Sequence, residues 1–164
     1  MYNAFLHVAQ EQKEGMELAA EISYVTTEAQ LQEALEIRNQ VFVIEQQVPA
    51  DLEIDQYDVI SPDAHHVLLY ADGQAVATGR LLYYSKDTAK MQRIAVLQSH
   101  RSFGYGRVLL LAMEERAREL GLTYSLLDAQ CQAQKFYEKL GYEVISDEPF
   151  FDAGILHVRM RKAL

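Results

Sequence analysis

The chain has 164 residues, 49% of them hydrophobic, with a single cysteine and a formal net charge of −9. This length and apolar content predict one domain with a sizeable core. No apolar run approaches the roughly 18 to 20 residues of a membrane span. A single cysteine excludes an intramolecular disulfide. The excess of acid argues against a nucleic-acid partner, because phosphate binding needs a basic surface, whereas a small cationic substrate and an ordinary solubilising surface are both compatible with it.

The first 20 residues carry no clear period and are predicted to be an N-terminal extension of a domain at residues 21–164. They lack the basic segment and apolar run of a secretory signal, which together with the lone cysteine predicts a cytoplasmic protein. The segment EISYVTT, from residue 21, alternates apolar and polar side chains as a half-buried strand does. Thr27 then caps a helix through EAQLQEALEIRNQVFVIEQQ, and an acidic link follows at residues 48–64.

The second half of the chain alternates strands and helices. Two apolar runs joined at Asp72-Gly73 predict a β-hairpin, and KMQRIAVLQ is a third strand of the same meander. A helix is expected from near Gly104 to about Leu120, with a stop at Gly121. The strand TYSLLDAQ, the short helix QAQKFYEKLG and the strands YEVIS and ILHVRMRK complete the chain.

The glycine-containing turn before the long helix predicts an anion site. The first backbone N–H groups of a helix have no intrahelical partner and lie at the positive end of the helix dipole. Gly104 and Gly106 let the backbone approach an anion closely, and Arg101 and Arg107 can add charge-assisted hydrogen bonds to phosphate. A pyrophosphate is the natural ligand of such a turn.

Three kinds of phosphate-binding loop compete for this turn. A Walker loop needs Gly-Lys-Ser/Thr, and Arg107-Val108 stands there instead. A dinucleotide fingerprint needs a third glycine at position 109, which is leucine, and belongs to the first strand-turn-helix unit of a fold. The third pattern, R-x-x-G-x-G, is matched throughout by RSFGYG at residues 101–106.

With this loop the sequence resembles the GNAT superfamily of N-acetyltransferases, whose acetyl-CoA pyrophosphate loop reads Q/R-x-x-G-x-G/A. A second block, QCQAQKFYEKLGY at residues 130–142, is similar to the family's N-x-x-A-x-x-F/L-Y-x-K-x-G-F/Y, although Gln130 replaces the usual asparagine. The resemblance covers about residues 21–163. It implies an α/β chain of the α+β type, with a mixed, mostly antiparallel twisted sheet of about six to seven strands flanked by helices.

The resemblance also implies the cofactor site. Acetyl-CoA would lie between the strand ending near Leu97 and the strand TYSLLDA, with the thioester facing backbone N–H groups of one strand. Tyr137 would be the general acid that protonates the thiolate, or alternatively would only pack beside Phe136. The implied cofactor-binding residues are Ile94, Ala95, Val96, Arg101, Ser102, Phe103, Gly104, Tyr105, Gly106, Arg107, Gln130, Ala133, Phe136 and Tyr137.

The N-terminal half narrows the resemblance to the ElaA-like bacterial branch of the superfamily. Its pattern R-x-x-V-F-x-x-E-Q … D-x-x-D … H is matched from Arg38 to His65. Glu45 and His65 are the implied candidates for the catalytic base, and Arg38 either binds a substrate carboxylate or pairs with Glu45. The implied substrate-binding residues are Arg38, Phe42, Glu45, Asp55 and His65.

The expected activity is transfer of an acetyl group from acetyl-CoA to a primary amine of a small molecule, by direct attack of the amine. A protein amine as acceptor and a catalytically silent acetyl-CoA sensor remain alternatives, and a homodimer is expected from the resemblance. Cys131 is predicted to be a passive small hydrophobe. No metal site is expected, because His65 and His66 point to opposite faces of a strand.

Overall fold

The computed structural model describes the backbone of residues 6–7 and the whole of residues 20–164. The helices are α1 (Glu28–Arg38), α2 (Ala50–Glu53), α3 (Tyr105–Glu119) and α4 (Gln134–Lys139), with a π-helical segment at Asn39–Glu45 and 3₁₀ turns at Gln98–His100 and Cys131–Ala133. The strands are β1 (Leu6–His7), β2 (Ala20–Tyr24), β3 (Ala64–Ala71), β4 (Gln74–Tyr83), β5 (Thr88–Val96), β6 (Tyr124–Gln130), β7 (Glu143–Val144), β8 (Phe150–Asp152) and β9 (Ile155–Ala163).

One sheet holds all of these strands, in the order β1-β2-β3-β4-β5-β6-β9-β7, with β8 pairing to β9. Only the pairing of β5 with β6 is parallel, and α3 makes the crossover between them. The predicted mixed, mostly antiparallel sheet flanked by helices is confirmed. It exceeds the expected six to seven strands because β1 and β8, of two and three residues, are too short to leave a period in the sequence. The predicted extension at residues 1–20 lies mostly outside the described residues.

Local sequence signals place most element ends. Thr27 caps α1 in a capping box with Gln30, and both Asp72 and Gly73 adopt positive φ in the β3–β4 turn. Gly121, at φ 80°, follows α3 as expected. The helix predicted to continue from α1 changes at Asn39 into a π-helical segment, a widened form that is uncommon and often found at functional sites.

Helices cover both faces of the sheet. The larger hydrophobic cluster includes Leu109, Leu110 and Met113 of α3, and the smaller one includes Ala34 and Ile37 of α1. None of the helices in the described part of the chain is long and apolar enough to cross a membrane.

A β-bulge in β5 opens the centre of the sheet. Arg93 adopts a positive φ of 54°, and the β4–β5 register shifts between Thr78 and Arg80. A bulge bends and twists its strand. The parallel pairing of β5 with β6 accordingly extends only from Thr88 to Met91, and beyond it the two strands diverge.

Candidate active site

The diverging ends of β5 and β6 form a cleft of about 840 Å³. The π-helical segment contributes Phe42 and Glu45 to one wall, and the turn between β8 and β9 contributes Ala153 to another. The N-terminal ends of α3 and α4 close the far side. The bulge in β5 and the parallel crossover through α3 create the opening. The path of the backbone therefore determines where the cleft lies.

The N-terminus of α3 presents free backbone donors to this cleft. Gly104 precedes the helix at φ 82°, and no side chain caps it. The first intrahelical bond runs from the Val108 N–H to the Gly104 carbonyl, at 3.1 Å, so the N–H groups of residues 105–107 have no intrahelical partner. A Cβ on Gly106 would lie 3.4 Å from Phe136 Cζ and 3.8 Å from Val96 Cγ2, where it would fill the cleft.

The structure brings the predicted cofactor-binding residues together around the cleft, with one exception. Phe103 is not part of the lining; it is half exposed on the surface, with its ring 6.0 Å from that of Tyr105. The lining contains Ile94, Ala95, Val96, Arg101, Ser102, Gly104, Tyr105, Gly106, Arg107, Gln130, Ala133, Phe136 and Tyr137. Their roles toward a cofactor stay predictions.

Arg101 and Glu45 meet across the cleft in a two-pronged ion pair. Arg101 Nη1 lies 2.6 Å from Glu45 Oε2, and Nη2 lies 2.7 Å from Oε1. The Arg101 Nε also donates to the Val96 carbonyl at 3.0 Å. Hydrogen bonding from Arg101 lowers the pKa of Glu45, which makes this carboxylate a weak proton acceptor. The guanidinium expected to hold phosphate therefore ties the α3 loop to the π-helical segment.

The prediction that Arg38 binds substrate is wrong, and so is the alternative pairing with Glu45. The Arg38 side chain is only 1% exposed and donates to Glu53 Oε1 at 2.6 Å and to Asp58 Oδ2 at 3.0 Å. Its donors also reach the Glu53 carbonyl at 2.9 Å. Four of the five N–H donors of this buried guanidinium are used within the protein, and Arg38 is not part of the cleft lining.

Asp55 also lies outside the cleft lining, which corrects its placement among the substrate-binding residues. It accepts hydrogen bonds from Arg80 at 2.7 and 2.8 Å. Asp58 is shared between Arg38 and Arg80; burial alone would raise its pKa, but hydrogen bonds from Arg38 and from the Asp55 N–H outweigh burial and lower it to about 2. These ion pairs fasten the acidic link to β4 and to the end of α1.

His65 is the third correction, because it does not reach the cleft. It lines a separate cavity of about 80 Å³ together with Tyr24 and Arg116. Its Nε2 is buried without a hydrogen-bond partner among the described residues, and burial lowers its pKa. β3 pairs with β2 and β4, so β4 lies between the strand that carries His65 and the cleft at β5 and β6.

Tyr137 lies on α4 with its ring in the cleft lining. It packs edge-to-face against Phe136 at 5.1 Å and against Tyr142 at 5.9 Å between ring centroids. Burial raises the pKa of the Tyr137 phenol to about 12. The hydroxyl therefore keeps its proton throughout the neutral range.

Among the other polar residues of the lining, Gln130 was predicted from the sequence as cofactor-binding, whereas Gln46, Lys90 and Asp128 were not predicted as site residues. Gln130 Nε2 donates to Gln46 Oε1 at 2.9 Å, which joins the end of β6 to the end of the π-helical segment. Asp128 lies between Lys90 Nζ at 3.0 Å and Arg159 Nε at 2.8 Å. Only Gln46 and Gln130 stood in a recognisable pattern, because the other groups meet through strand pairing that spacing does not reveal.

Comparison with known proteins agrees with this geometry. The acetyltransferase (GNAT) domain family model matches residues 10–164. The uncharacterized N-acetyltransferase YjcF of Bacillus subtilis (strain 168) is 43% identical over 136 residues, which cover 82% of this chain and 94% of that protein.

Two solved structures share the fold over most of both chains. An acyl-CoA N-acyltransferase from Pseudomonas aeruginosa superposes with a TM-score of 0.77 at 30% identity, covering 89% of this chain and 99% of the other. Escherichia coli ElaA superposes with a TM-score of 0.77 at 25% identity, covering 87% and 99%. The cleft, the uncapped helix and these matches lead to one conclusion: the chain belongs to the GNAT family and is an acetyltransferase.

Proposed function

We propose that this protein transfers an acetyl group from acetyl-CoA to a primary amine of a small molecule by direct attack of the amine. The observation that carries the proposal is the cleft between β5 and β6, which leads to the uncapped N-terminus of α3. Bound acetyl-CoA supplies a thioester carbonyl, at which a C–N bond forms as the C–S bond breaks. No nucleophilic side chain is required.

The residues at the helix N-terminus fit a pyrophosphate. Three N–H groups without intrahelical partners and the positive end of the dipole suit an anion, and Arg107 lines the same end of the cleft with an exposed side chain. The glycine at position 106 leaves the space that a Cβ would fill. The cleft volume of 840 Å³ lies in the range of about 300 to 1,000 Å³ typical of ligand pockets.

We assign Tyr137 to protonation of the departing thiolate. Its phenol stays protonated at neutral pH, because its pKa is about 12. A thiol has a pKa of about 8.5 in water, well below that of the Tyr137 phenol, so complete transfer of the proton to a thiolate in water would be unfavourable. The same dry environment raises the pKa of the thiol as well, which makes the transfer easier. The tyrosine thus acts first as a hydrogen-bond donor to the sulfur and delivers the proton as charge develops.

Tyr137→Phe should lower kcat by about 10²-fold, the usual size of a lost general acid, and leave the Kd for acetyl-CoA within about twofold. The ring packing against Phe136 and Tyr142 is retained, so thermal melting serves as the folding control. Steady-state kinetics with isothermal titration measures both quantities. An unchanged kcat would remove the acid role from Tyr137.

The acceptor is proposed to be a small amine. The wall that faces the donor carries apolar side chains, including Phe42, Val48 and Leu52, and the Asp152 carboxylate lies exposed at the rim of the cleft. Apolar surface beside a negative charge suits an alkyl ammonium group.

Two measurements test the proposed function. Thermal-shift titration should show stabilisation by acetyl-CoA and CoA, and none by NAD or ATP. Release of free CoA is then followed across a panel of polyamines, amino sugars, amino-acid derivatives and a lysine peptide. Turnover of small amines supports the proposal; turnover confined to the peptide makes a protein the acceptor, and CoA binding with no turnover makes the protein a sensor.

A further inference from the structure

His157 presents an acceptor nitrogen to the cleft. It lies on β9 opposite Gln130 of β6, and its ring lines the cleft although the residue is buried. Its Nδ1 lies 2.7 Å from the carbonyl oxygen of Ile155. Because a carbonyl oxygen only accepts, Nδ1 carries the proton, and the neutral ring keeps its lone pair on Nε2.

Packing fixes the orientation of this ring. Ala153 and Gly154 adopt positive φ in a tight turn, which returns the chain so that Phe150 pairs with His157. The Phe150 ring stacks on the imidazole, with centroids 6.1 Å apart and planes 22° apart. Nε2 makes no hydrogen bond to another described residue, and it is not among the nitrogens that the protein seals off. Nε2 therefore keeps some exposed surface, on a residue that lines the cleft.

Three carboxylates that line the cleft are already paired with cations. Glu45 is bound by Arg101, and Glu53, 3% exposed, is bound by Arg38. Asp128 lies between Lys90 and Arg159, and these bonds lower its pKa against the effect of burial. Because the pKa values of Glu45 and Asp128 are lowered by their cations, these two carboxylates bind a further proton weakly.

We infer that His157 Nε2 is the group that takes a proton from the ammonium form of the acceptor, an inference that rests on the proposed function. The ammonium gives one proton to Nε2, and its nitrogen lone pair then forms the new C–N bond. As the C–S bond breaks, the sulfur keeps the electron pair and receives, through Tyr137, the second proton lost by the nitrogen. The imidazolium returns its proton to solvent, so charge and protons balance.

Charged groups around the ring belong to three elements. β8 carries Asp152, exposed at the rim of the cleft, and β6 carries Asp128, which Arg159 of β9 neutralises. Asp152 is thus the one nearby carboxylate for which the described residues offer no ion pair, and it is the competing proton acceptor.

The test compares two substitutions that each keep a hydrogen bond. His157→Asn places an amide N–H where Nδ1 donates to Ile155, but removes the acceptor nitrogen. We expect kcat to fall about 10²-fold with the acidic limb of its pH profile lost, and the Kd for acetyl-CoA to stay within about twofold. The matched control is His66→Gln, which keeps the donor to the Tyr57 carbonyl outside the cleft and should retain wild-type kinetics.

Two results would overturn the inference: a His157→Asn enzyme with near-normal kcat, or an acidic limb that persists in His157→Asn and disappears in Asp152→Asn. Nitrogen-15 NMR of the wild-type imidazoles tests the tautomer without turnover. We expect the His157 proton on Nδ1, and a proton on Nε2 would refute the assignment. If no amine is acetylated by the wild type, the proposed function fails, while the NMR result still decides the state of His157.

Discussion

Replacing Arg38 by methionine should lower the free energy of unfolding by about 3 kcal/mol, because the change removes the cation that bonds both buried carboxylates and leaves Asp58 only Arg80 and Glu53 only Arg93, which lies 3.4 Å away. Both carboxylates are only 3% exposed, so water cannot take the place of the guanidinium. The methionine side chain nearly fills the volume that the arginine occupied. The lost stability therefore comes from electrostatics and hydrogen bonding. Urea unfolding followed by circular dichroism measures the difference.

The matched control for this substitution is Arg118→Met, which removes an exposed pair with Glu115 and should cost less than about 1 kcal/mol. A second readout is the pH dependence of stability. The pKa of Asp58 is about 2 in the folded protein and 3.8 for a free carboxyl, so its contribution of about 2 kcal/mol is present above pH 3.8 and is lost as the pH falls toward 2. In Arg38→Met the pKa of Asp58 in the folded protein should rise toward that of a free carboxyl, so this loss between pH 3.8 and 2 should shrink. Equal stabilities of the two variants would contradict the buried ion cluster as a source of stability.

Substituting valine for Gly106 should weaken acetyl-CoA binding by at least about 10- to 100-fold and leave the fold intact. The new side chain would stand between Phe136 and Val96, in the space where the helix N–H groups face the cleft. Each charge-assisted hydrogen bond lost is worth about 1.5–3 kcal/mol, and 1.4 kcal/mol is a tenfold change in Kd. Isothermal titration gives the affinity, and urea unfolding without ligand should move by about 1 kcal/mol or less.

A glycine at the opposite end of the same helix provides the control. Gly121 has a φ of +80° and open space around it, so Gly121→Val should lose at least about 1–2 kcal/mol of stability through backbone strain and bind acetyl-CoA normally. Gly106→Val should therefore lose binding and keep stability, whereas Gly121→Val should lose stability and keep binding. Normal binding by Gly106→Val would place the pyrophosphate elsewhere.

The residues around the N-terminus of α3 that line the cleft could be predicted from the sequence because the pattern that marks them is local. A glycine turn that opens a helix determines where backbone N–H groups point, and RSFGYG shows that turn within six residues. The same holds for the position of Tyr137 on α4. Phe103 is the exception, because a loop side chain turns outward without changing the motif.

The surroundings of Arg38 and of His157 could not be predicted, because these residues meet their partners through pairing that is distant in the sequence. Arg38 lies 15 residues before Glu53 and 20 before Asp58, and nothing in the spacing tells a buried ion cluster from a substrate site. His157 lies opposite Gln130 only through the β6–β9 register. Its tautomer depends on the hydrogen bond to the Ile155 carbonyl, which follows the tight turn at Ala153 and Gly154. Nothing in the sequence of that turn indicates a catalytic residue.

The ion pair between Arg101 and Glu45 has a consequence for redesign of the enzyme. The side of the cleft next to α3 and α4 is formed by residues from the second half of the chain, and the opposite wall is formed by residues 41–53, with this ion pair joining the two. Phe42, Val48 and Leu52 can therefore be varied as a set while the ion pair and the α3 side of the cleft stay in place. Under the proposed function, a combinatorial library confined to that wall would change the choice of amine acceptor and leave the rest of the cleft unchanged.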